Sequence, residues 1–131
     1  MLKLEDLNVY TFAMEIANTI FSQVEKWEYF YQRTIGVQLV SAADSIAANI
    51  SEGWGRYYYK ENRMFCYYAR GSLLETKTHL NFAKKRALFN EKAVTDIMLD
   101  LDELHRKLNA YIKSLGKTSM TNDQWPMTND Y

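Results

Sequence analysis

Apolar residues recur every three or four positions along most of the chain, the spacing that places them on one face of an α-helix. The first two stripes predict helices over about 4–30 and about 34–52. They consist of Val9, Phe12, Ile16, Ile20, Val24 and Trp27, followed by Ile35, Leu39, Ala42, Ile46 and Ile50. The smaller side chains of the second stripe would let a neighbouring helix come close.

A third stripe predicts a helix over about 59–87 and is wider than the others. Its predicted core face consists of Phe65, Tyr68, Ser72, Thr76, Leu80 and Ala83, widened by Met64, Leu73, Leu74 and Phe82. So wide an apolar surface indicates burial on more than one side, and therefore contact with other copies of the chain.

The fourth stripe follows Asn90, a favourable N-cap, and Glu91, an acid in the first turn. Its members step by three and four: Val94, Ile97, Leu101, Leu104, Leu108, Tyr111 and Leu115. Gly116 is predicted to close this helix in a left-handed conformation. The polar residues 117–131, which include the single proline, predict a mobile tail.

Together these elements predict an all-α protein, an antiparallel up-and-down four-helix bundle over residues 1–116 with a flexible C-terminal tail. The composition agrees, because five glycines and one proline in 131 residues are too few for many short strands and turns. One cysteine, Cys66, cannot form an intrachain disulfide, which favours a reducing compartment. With neither a signal peptide nor an apolar run near ~20 residues, we expect a cytoplasmic protein outside membranes.

The stretch "SIAANISEGWGRYYYKEN", residues 45–62, carries the predicted corner between the second and third helices. Gly53 stands where the second helix should end, so we predict a C-cap with a positive φ. Trp54 is expected to anchor the turn, and Gly55 to complete it. A phosphate-binding loop is disfavoured, since neither its Gly-x-x-x-x-Gly-Lys-Ser/Thr spacing nor a preceding strand occurs.

Polar residues within the small-residue faces suggest a hydrogen-bonded network between the second and third helices. Its candidate members are Asn49, Glu52, Arg56, Ser72 and Glu75, and Gly71 beside Ser72 would let the backbones approach. The alternative is that the two glutamates are simply exposed helix residues. The predicted role is structural specificity rather than turnover.

The charge is unevenly distributed although the formal net charge is zero. Residues 1–52 carry three basic and seven acidic groups, whereas residues 56–92 carry nine basic and three acidic groups. Within the basic segment we predict a nucleic-acid or partner face made of Lys60, Arg63, Lys84, Lys85 and Arg86. The tyrosines interleaved with these cations suit either stacked unpaired bases or subunit interfaces.

Groups that could support catalysis are sparse. A diiron bundle needs a Glu from each of two helices and Glu-x-x-His from each of the others. This chain offers Asp102 with His105, and Glu75 with His79 at a spacing of four. We predict no catalytic residue, no cofactor and no metal; a small metal-dependent enzyme with a site inside the bundle is the alternative.

The order of several motifs resembles a known family. The matching positions are Gln38, Ala42-Ala43, Ser45-Ile46, Asn49-Ile50, Glu52-Gly53, Gly55-Arg56, Glu61, Ala69, Gly71-Ser72-Leu73 and Glu75. Over about residues 5–115 the chain resembles the bacterial four-helix-bundle family of ribosomal-RNA intervening-sequence proteins, whose members are sometimes labelled ribosomal proteins. A relative, the accessory protein of diversity-generating retroelements, binds a reverse transcriptase and nucleic acid.

The resemblance implies an up-and-down bundle that assembles as a ring-shaped homopentamer, with no known catalysis. We therefore predict a noncatalytic oligomeric binding or assembly module. Its expected partners are copies of itself, and RNA or an RNA-handling protein.

Overall fold

The computed structural model describes residues 2–118, and within them the chain is helical with no strand. A 3₁₀ turn, Leu4–Asp6, precedes the helices α1 (Asn8–Val24), α2 (Tyr29–Tyr31), α3 (Val37–Trp54), α4 (Tyr59–Lys85) and α5 (Glu91–Thr118). A π-helical turn, Gln32–Gly36, joins α2 to α3. These three consecutive segments form the second helix of the bundle.

The arrangement is a four-helix bundle, as predicted. Connections of four or five residues, 25–28, 55–58 and 86–90, make consecutive helices antiparallel neighbours. Helix α1 packs against α3 and α5, and α4 packs against the same two helices from the opposite side. None of the described helices has the combination of length and apolar character needed to cross a membrane.

The predicted stripes of the first, second and fourth helices form the core. Ile20, Ile46 and Leu104 are fully buried, and the remaining members are buried or packed against the core. The predicted N-cap is confirmed, because the Ala93 N–H donates to Asn90 Oδ1 over 2.7 Å. Hydrophobic periodicity therefore placed three of the four helices with their correct faces inward.

The predicted core face of the third helix is confirmed at Leu73, Thr76, Leu80 and Ala83 and is wrong at the other positions. Tyr68 is exposed, and Phe65 and Ser72 are only partly buried. The buried line of α4 consists of Tyr59, Asn62, Cys66, Ala69, Leu73, Thr76, Leu80 and Ala83. Tyr59 is the aromatic residue on this line, and small or polar side chains occupy much of the rest where α4 meets α3. Phe65, Tyr67, Tyr68 and Phe82 keep exposed surface.

Two predicted helix ends also differ. The first helix ends at Val24, although Trp27 still packs on the core with its ring 5.4 Å from that of Phe89. Gly116 is not left-handed, since α5 continues to Thr118. The left-handed residue is instead Ala87, with φ 59°, which ends α4. The predicted tail lies outside the described residues from 119 onward.

Candidate assembly and RNA-binding surfaces

The corner after α3 is built on close packing rather than on a left-handed glycine. Gly53 is buried inside α3 and no described glycine has a positive φ, so the predicted C-cap is wrong. A Cβ on Gly53 would lie 2.6 Å from Asn62 Oδ1 and 3.0 Å from Phe65 Cβ. Trp54 is buried, and Gly55 ends the helix with φ −78°.

The five residues of the predicted polar network separate into local groups. Glu52 and Arg56 form an ion pair of 2.7 Å one turn apart, with both side chains substantially exposed. Asn49 Nδ2 donates to the Ser45 carbonyl, also on its own helix. The structure thus pairs Glu52 with Arg56, and an exposed ion pair of this kind contributes about 1 kcal/mol or less to the free energy of unfolding.

The third-helix members of that network make their contacts along α4. The Ser72 carbonyl accepts a hydrogen bond from Thr76 Oγ1 at 2.8 Å, and Glu75 lies 3.7 Å from His79. Gly71 is exposed, with no neighbour within 4 Å of a built Cβ, so it does not mediate a close approach. That role belongs to Gly53.

The outer side of α4 carries a row of exposed apolar side chains, here called the outer stripe. Between 40% and 53% of each side chain is exposed, and the members are Met64, Tyr67, Tyr68, Leu74 and Phe82. Cations accompany the rings: the Arg70 guanidinium lies 5.0 Å from the Tyr67 centroid, and that of Arg86 lies 4.8 Å from Phe82. The exposed residues Gly71, Glu75 and Thr78 lie between these side chains on the same side of α4. Several exposed apolar groups on one side of a helix are typical of interaction surfaces.

A groove of about 510 Å³ lies between the C-terminal part of α1 and the start of α3. Phe21, Val37 and Val40 supply apolar surface, while Glu25 and Asp44 supply carboxylates. Burial raises the pKa of Asp44. The groove therefore combines apolar character with negative charge, the opposite sign to the cations beside the outer stripe.

The structure divides the predicted basic face into two. Lys60 and Lys84 are separated by 24 helical residues, a distance of about 36 Å along α4. At the N-terminal end, Arg63 Nη1 donates to the Leu115 carbonyl at 3.3 Å, so it is engaged with α5. Lys84, Lys85 and Arg86 are exposed together at the other end.

Sequence reasoning missed a group of aromatic residues at that same end. Tyr29 and Phe30 are largely exposed in α2, and the Arg33 guanidinium lies 5.2 Å from the Tyr29 ring centroid. The signal available in the sequence was the run Tyr29-Phe30-Tyr31, which adds three aromatic residues where the first apolar stripe has ended. Only the fold shows that the run lies at the same end of the bundle as residues 84–86.

The sequence comparison identifies the family. The profile of the family described as 23S rRNA-intervening sequence protein matches residues 5–110, most of the chain. The chain belongs to this family. None of the curated proteins matches it.

In this member of the 23S rRNA-intervening sequence protein family, the candidate metal ligands do not converge. No group of three or more His, Cys, Asp or Glu able to hold an ion occurs among the described residues. Asp102 is paired with Lys77, whose hydrogen bond and charge lower the pKa of that carboxyl. Burial, and then the charges of Lys77 and Arg70, lower the pKa of His105.

Cys66 behaves as a core side chain. It is fully buried on α4, its Sγ donates to Asn62 Oδ1 at 3.6 Å, and burial raises its pKa to about 12. Because the thiolate is the reactive form, we expect a chromogenic disulfide reagent at pH 8 to react more than ~100-fold slower with the folded protein than with the urea-unfolded protein. Rapid reaction under native conditions would contradict this assignment.

Proposed function

We propose that the protein is a noncatalytic, homo-oligomeric assembly module that associates with RNA in the cytoplasm. The observation that carries the proposal is the outer stripe of α4. Five large apolar side chains in one row remain 40–53% exposed although the bundle already has a complete core. Their burial against a second copy would supply the apolar centre of a subunit interface, with Arg70 and Arg86 in positions typical of interface cations.

The groove between α1 and α3 has the chemistry to receive the stripe of a neighbouring copy. Its apolar floor, near Phe21 and Val37, suits Leu74 and Phe82, and its carboxylates are complementary to the cations beside the stripe. Such a contact joins two different surfaces, and a heterologous contact closes a ring when the rotation between copies is a whole fraction of a turn. A cyclic pentamer is the assembly we propose.

Substitution of a stripe residue should dissociate the assembly. We expect the wild type at about 10 µM to give a light-scattering mass near five times 15.4 kDa. Leu74→Glu places a charge in the interface centre, where loss of a buried anchor costs about 2 kcal/mol or more per contact. We therefore expect the Leu74→Glu variant to show the 15.4 kDa monomer mass.

Leu99→Glu is the matched control, because Leu99 is 61% exposed and lies on α5 rather than on the outer stripe. Its mass should equal that of the wild type, and circular dichroism should show that both variants remain folded. A monomeric wild type would contradict homo-oligomeric assembly. An assembly that tolerates Leu74→Glu as well as Leu99→Glu would show that the outer stripe is not the interface.

The RNA half of the proposal is supported by the family, whose description refers to 23S rRNA, and by the exposed cations of residues 84–86. Cations that neutralise phosphates give affinity that is largely independent of sequence and falls as salt rises. The noncatalytic half is supported by Cys66 and His105. Burial raises the pKa of Cys66 and lowers that of His105, and within residues 2–118 neither belongs to a group of three or more side chains that could hold a metal ion.

A further inference from the structure

One end of the bundle displays the two most exposed aromatic side chains among the described residues. Tyr29 is 69% exposed and Phe30 is 67% exposed. Arg33 lies over the Tyr29 ring, and a hollow of about 370 Å³ is lined by Tyr29, Phe30, Arg33 and Thr34. These four residues are called the aromatic corner below. Rings displayed to this extent indicate a surface that meets a ligand.

Hydrogen bonds hold the backbone of the aromatic corner in place. Gln32 Nε2 donates to the Val24 carbonyl at the end of α1, at 3.3 Å, and to the carbonyl of Glu25, the residue that follows, at 3.0 Å. Thr34 Oγ1 donates to the Phe30 carbonyl at 2.9 Å. The rings therefore stand on α2, which the π-helical turn that follows it ties to the end of α1, and binding a ligand would require little ordering of the chain.

The aromatic corner is joined to the basic end of α4. The edge-to-face contact between Trp27 and Phe89, 5.4 Å between centroids, connects the α1–α2 corner with the α4–α5 connection. The segments 25–36 and 84–92 together contain six basic and three acidic residues. The basic residues are Lys26, Arg33, Lys84, Lys85, Arg86 and Lys92, of which Lys92 is paired with Asp96.

Exposed rings beside cations help to decide whether this end meets another subunit, duplex RNA or an unpaired strand. Lysine is depleted at the centres of protein interfaces, which argues against a subunit contact here. Duplex RNA hides the faces of its bases, whereas unpaired bases stack on aromatic side chains while cations meet their phosphates. The chemistry of this end therefore favours an unpaired strand.

We propose that the aromatic corner is a stacking platform for single-stranded RNA, with Tyr29 and Phe30 each taking one unpaired base and Arg33, Lys84, Lys85 and Arg86 neutralising the adjacent phosphates. The proposal rests on the proposed function in taking RNA as the partner, and it adds the site and the form of RNA. Arg86 borders both the platform and Phe82 of the outer stripe, whereas Tyr29 and Phe30 lie on α2, away from the stripe. An assembled ring would present one pair of these two rings per subunit.

The test measures fluorescence anisotropy of a labelled oligouridylate of about 12 nucleotides with the full-length protein at about 50 mM salt. Tyr29→Ala and Phe30→Ala should each weaken binding at least about fivefold, since loss of one stacked base costs ~1–3 kcal/mol. Their salt slope should equal that of the wild type. Reversing Lys84, Lys85 and Arg86 to Glu should instead reduce the slope by about 2 or more.

Two matched controls come from the opposite end of the bundle. Tyr57→Ala removes another exposed aromatic side chain, and Lys113→Glu reverses another exposed cation. Neither should change the affinity by more than about twofold if binding is local to the aromatic corner. A duplex of the same length should bind with an affinity that Tyr29→Ala leaves unchanged. Circular dichroism should be used to check the fold of every variant, and light scattering to check its mass.

The outcomes separate this proposal from the proposed function. If the wild type binds the strand and the Glu triple variant weakens binding while the alanine variants do not, the stacking platform is wrong and RNA association stands. If the wild type binds the duplex but no single strand, the platform is wrong and RNA association stands. If it binds neither, both are wrong, whereas the light-scattering mass still decides assembly. If Tyr29→Ala and Phe30→Ala lower the mass rather than the RNA affinity, the aromatic corner is a subunit contact and the platform is overturned.

Discussion

Gly53→Val is expected to lower the free energy of unfolding by about 3 kcal/mol, because the side chain would enter space already occupied by α4. A Cβ at this position lies 2.6 Å from Asn62 Oδ1 and 2.9 Å from the Asn62 carbonyl oxygen. The Cβ of Phe65 is 3.0 Å away. A helical carbonyl and a Cβ cannot move aside as the end of a flexible side chain can, so α3 and α4 must separate.

Urea unfolding followed by circular dichroism, at one fixed protein concentration, measures this effect. The same change made at two glycines provides the control. Gly53→Ala should destabilise the protein, whereas Gly71→Ala should stabilise it by about 0.5–1 kcal/mol, since Gly71 is helical and nothing lies within 4 Å of its added Cβ. A Gly53→Val variant as stable as the wild type would contradict the close approach of α3 and α4.

The spacing of apolar residues predicted the fold because the buried positions of a bundle helix recur every three or four residues. Ile46 and Leu104 are each fully buried at positions that the stripes predicted. The same signal failed at the end of α1, where Trp27 packs against Phe89 after the backbone has left the helix. Apolar spacing reports which side chains are buried, and backbone hydrogen bonding decides where a helix ends.

The apolar spacing of the third helix did not predict which of its side chains face the neighbouring helix. Its aromatic residues were expected inside, yet the buried line passes through Asn62, Cys66 and Ala69. Small residues are buried there because Gly53 lets α3 come close, and that distance is a property of two helices rather than of one stripe. Tyr67, Tyr68 and Phe82 of α4 then lie outside.

The positions of glycines also gave a wrong prediction of where helices are capped. A glycine near the end of a predicted helix favours a left-handed cap, yet Gly53 remains helical and Ala87 adopts φ 59° at the end of α4. The Leu88 N–H donates to the Ala83 carbonyl at 2.9 Å, a bond typical of a Schellman cap. The backbone hydrogen bond caps α4 even though a left-handed conformation is unfavourable for alanine. The identity of the residue therefore does not predict this cap.

The candidate surfaces were predictable only in part. The cations of residues 84–86 were correctly expected near the end of the third helix, where they favourably meet the helix dipole. Lys60 and Arg63 were grouped with them by charge alone, and the length of α4 separates the two sets. The aromatic corner required the topology, since α2 and the end of α4 are about 50 residues apart in the chain.

Asn62 is a polar side chain with no exposed surface in the contact between α3, α4 and α5. Its Nδ2 donates to Tyr111 Oη at 3.3 Å, and its Oδ1 accepts from Cys66 Sγ at 3.6 Å. The amide is neutral and well matched to these two groups. A carboxylate of the same shape would be charged in the same buried place, with only a hydroxyl and a weak thiol donor to compensate.

Asn62→Asp is therefore expected to cost about 3 kcal/mol at pH 8 and much less near pH 4. Burial raises the pKa of the folded carboxyl above ~3.9, its value in the unfolded chain, so the folded state binds more protons between the two values and stability falls as pH rises. Urea unfolding of variant and wild type across pH 4–8 measures this difference. Asn81→Asp, at an exposed position on the same helix, should cost less than about 1 kcal/mol with little dependence on pH. An Asn62→Asp variant whose stability difference from the wild type is constant over this range would show that water reaches the site.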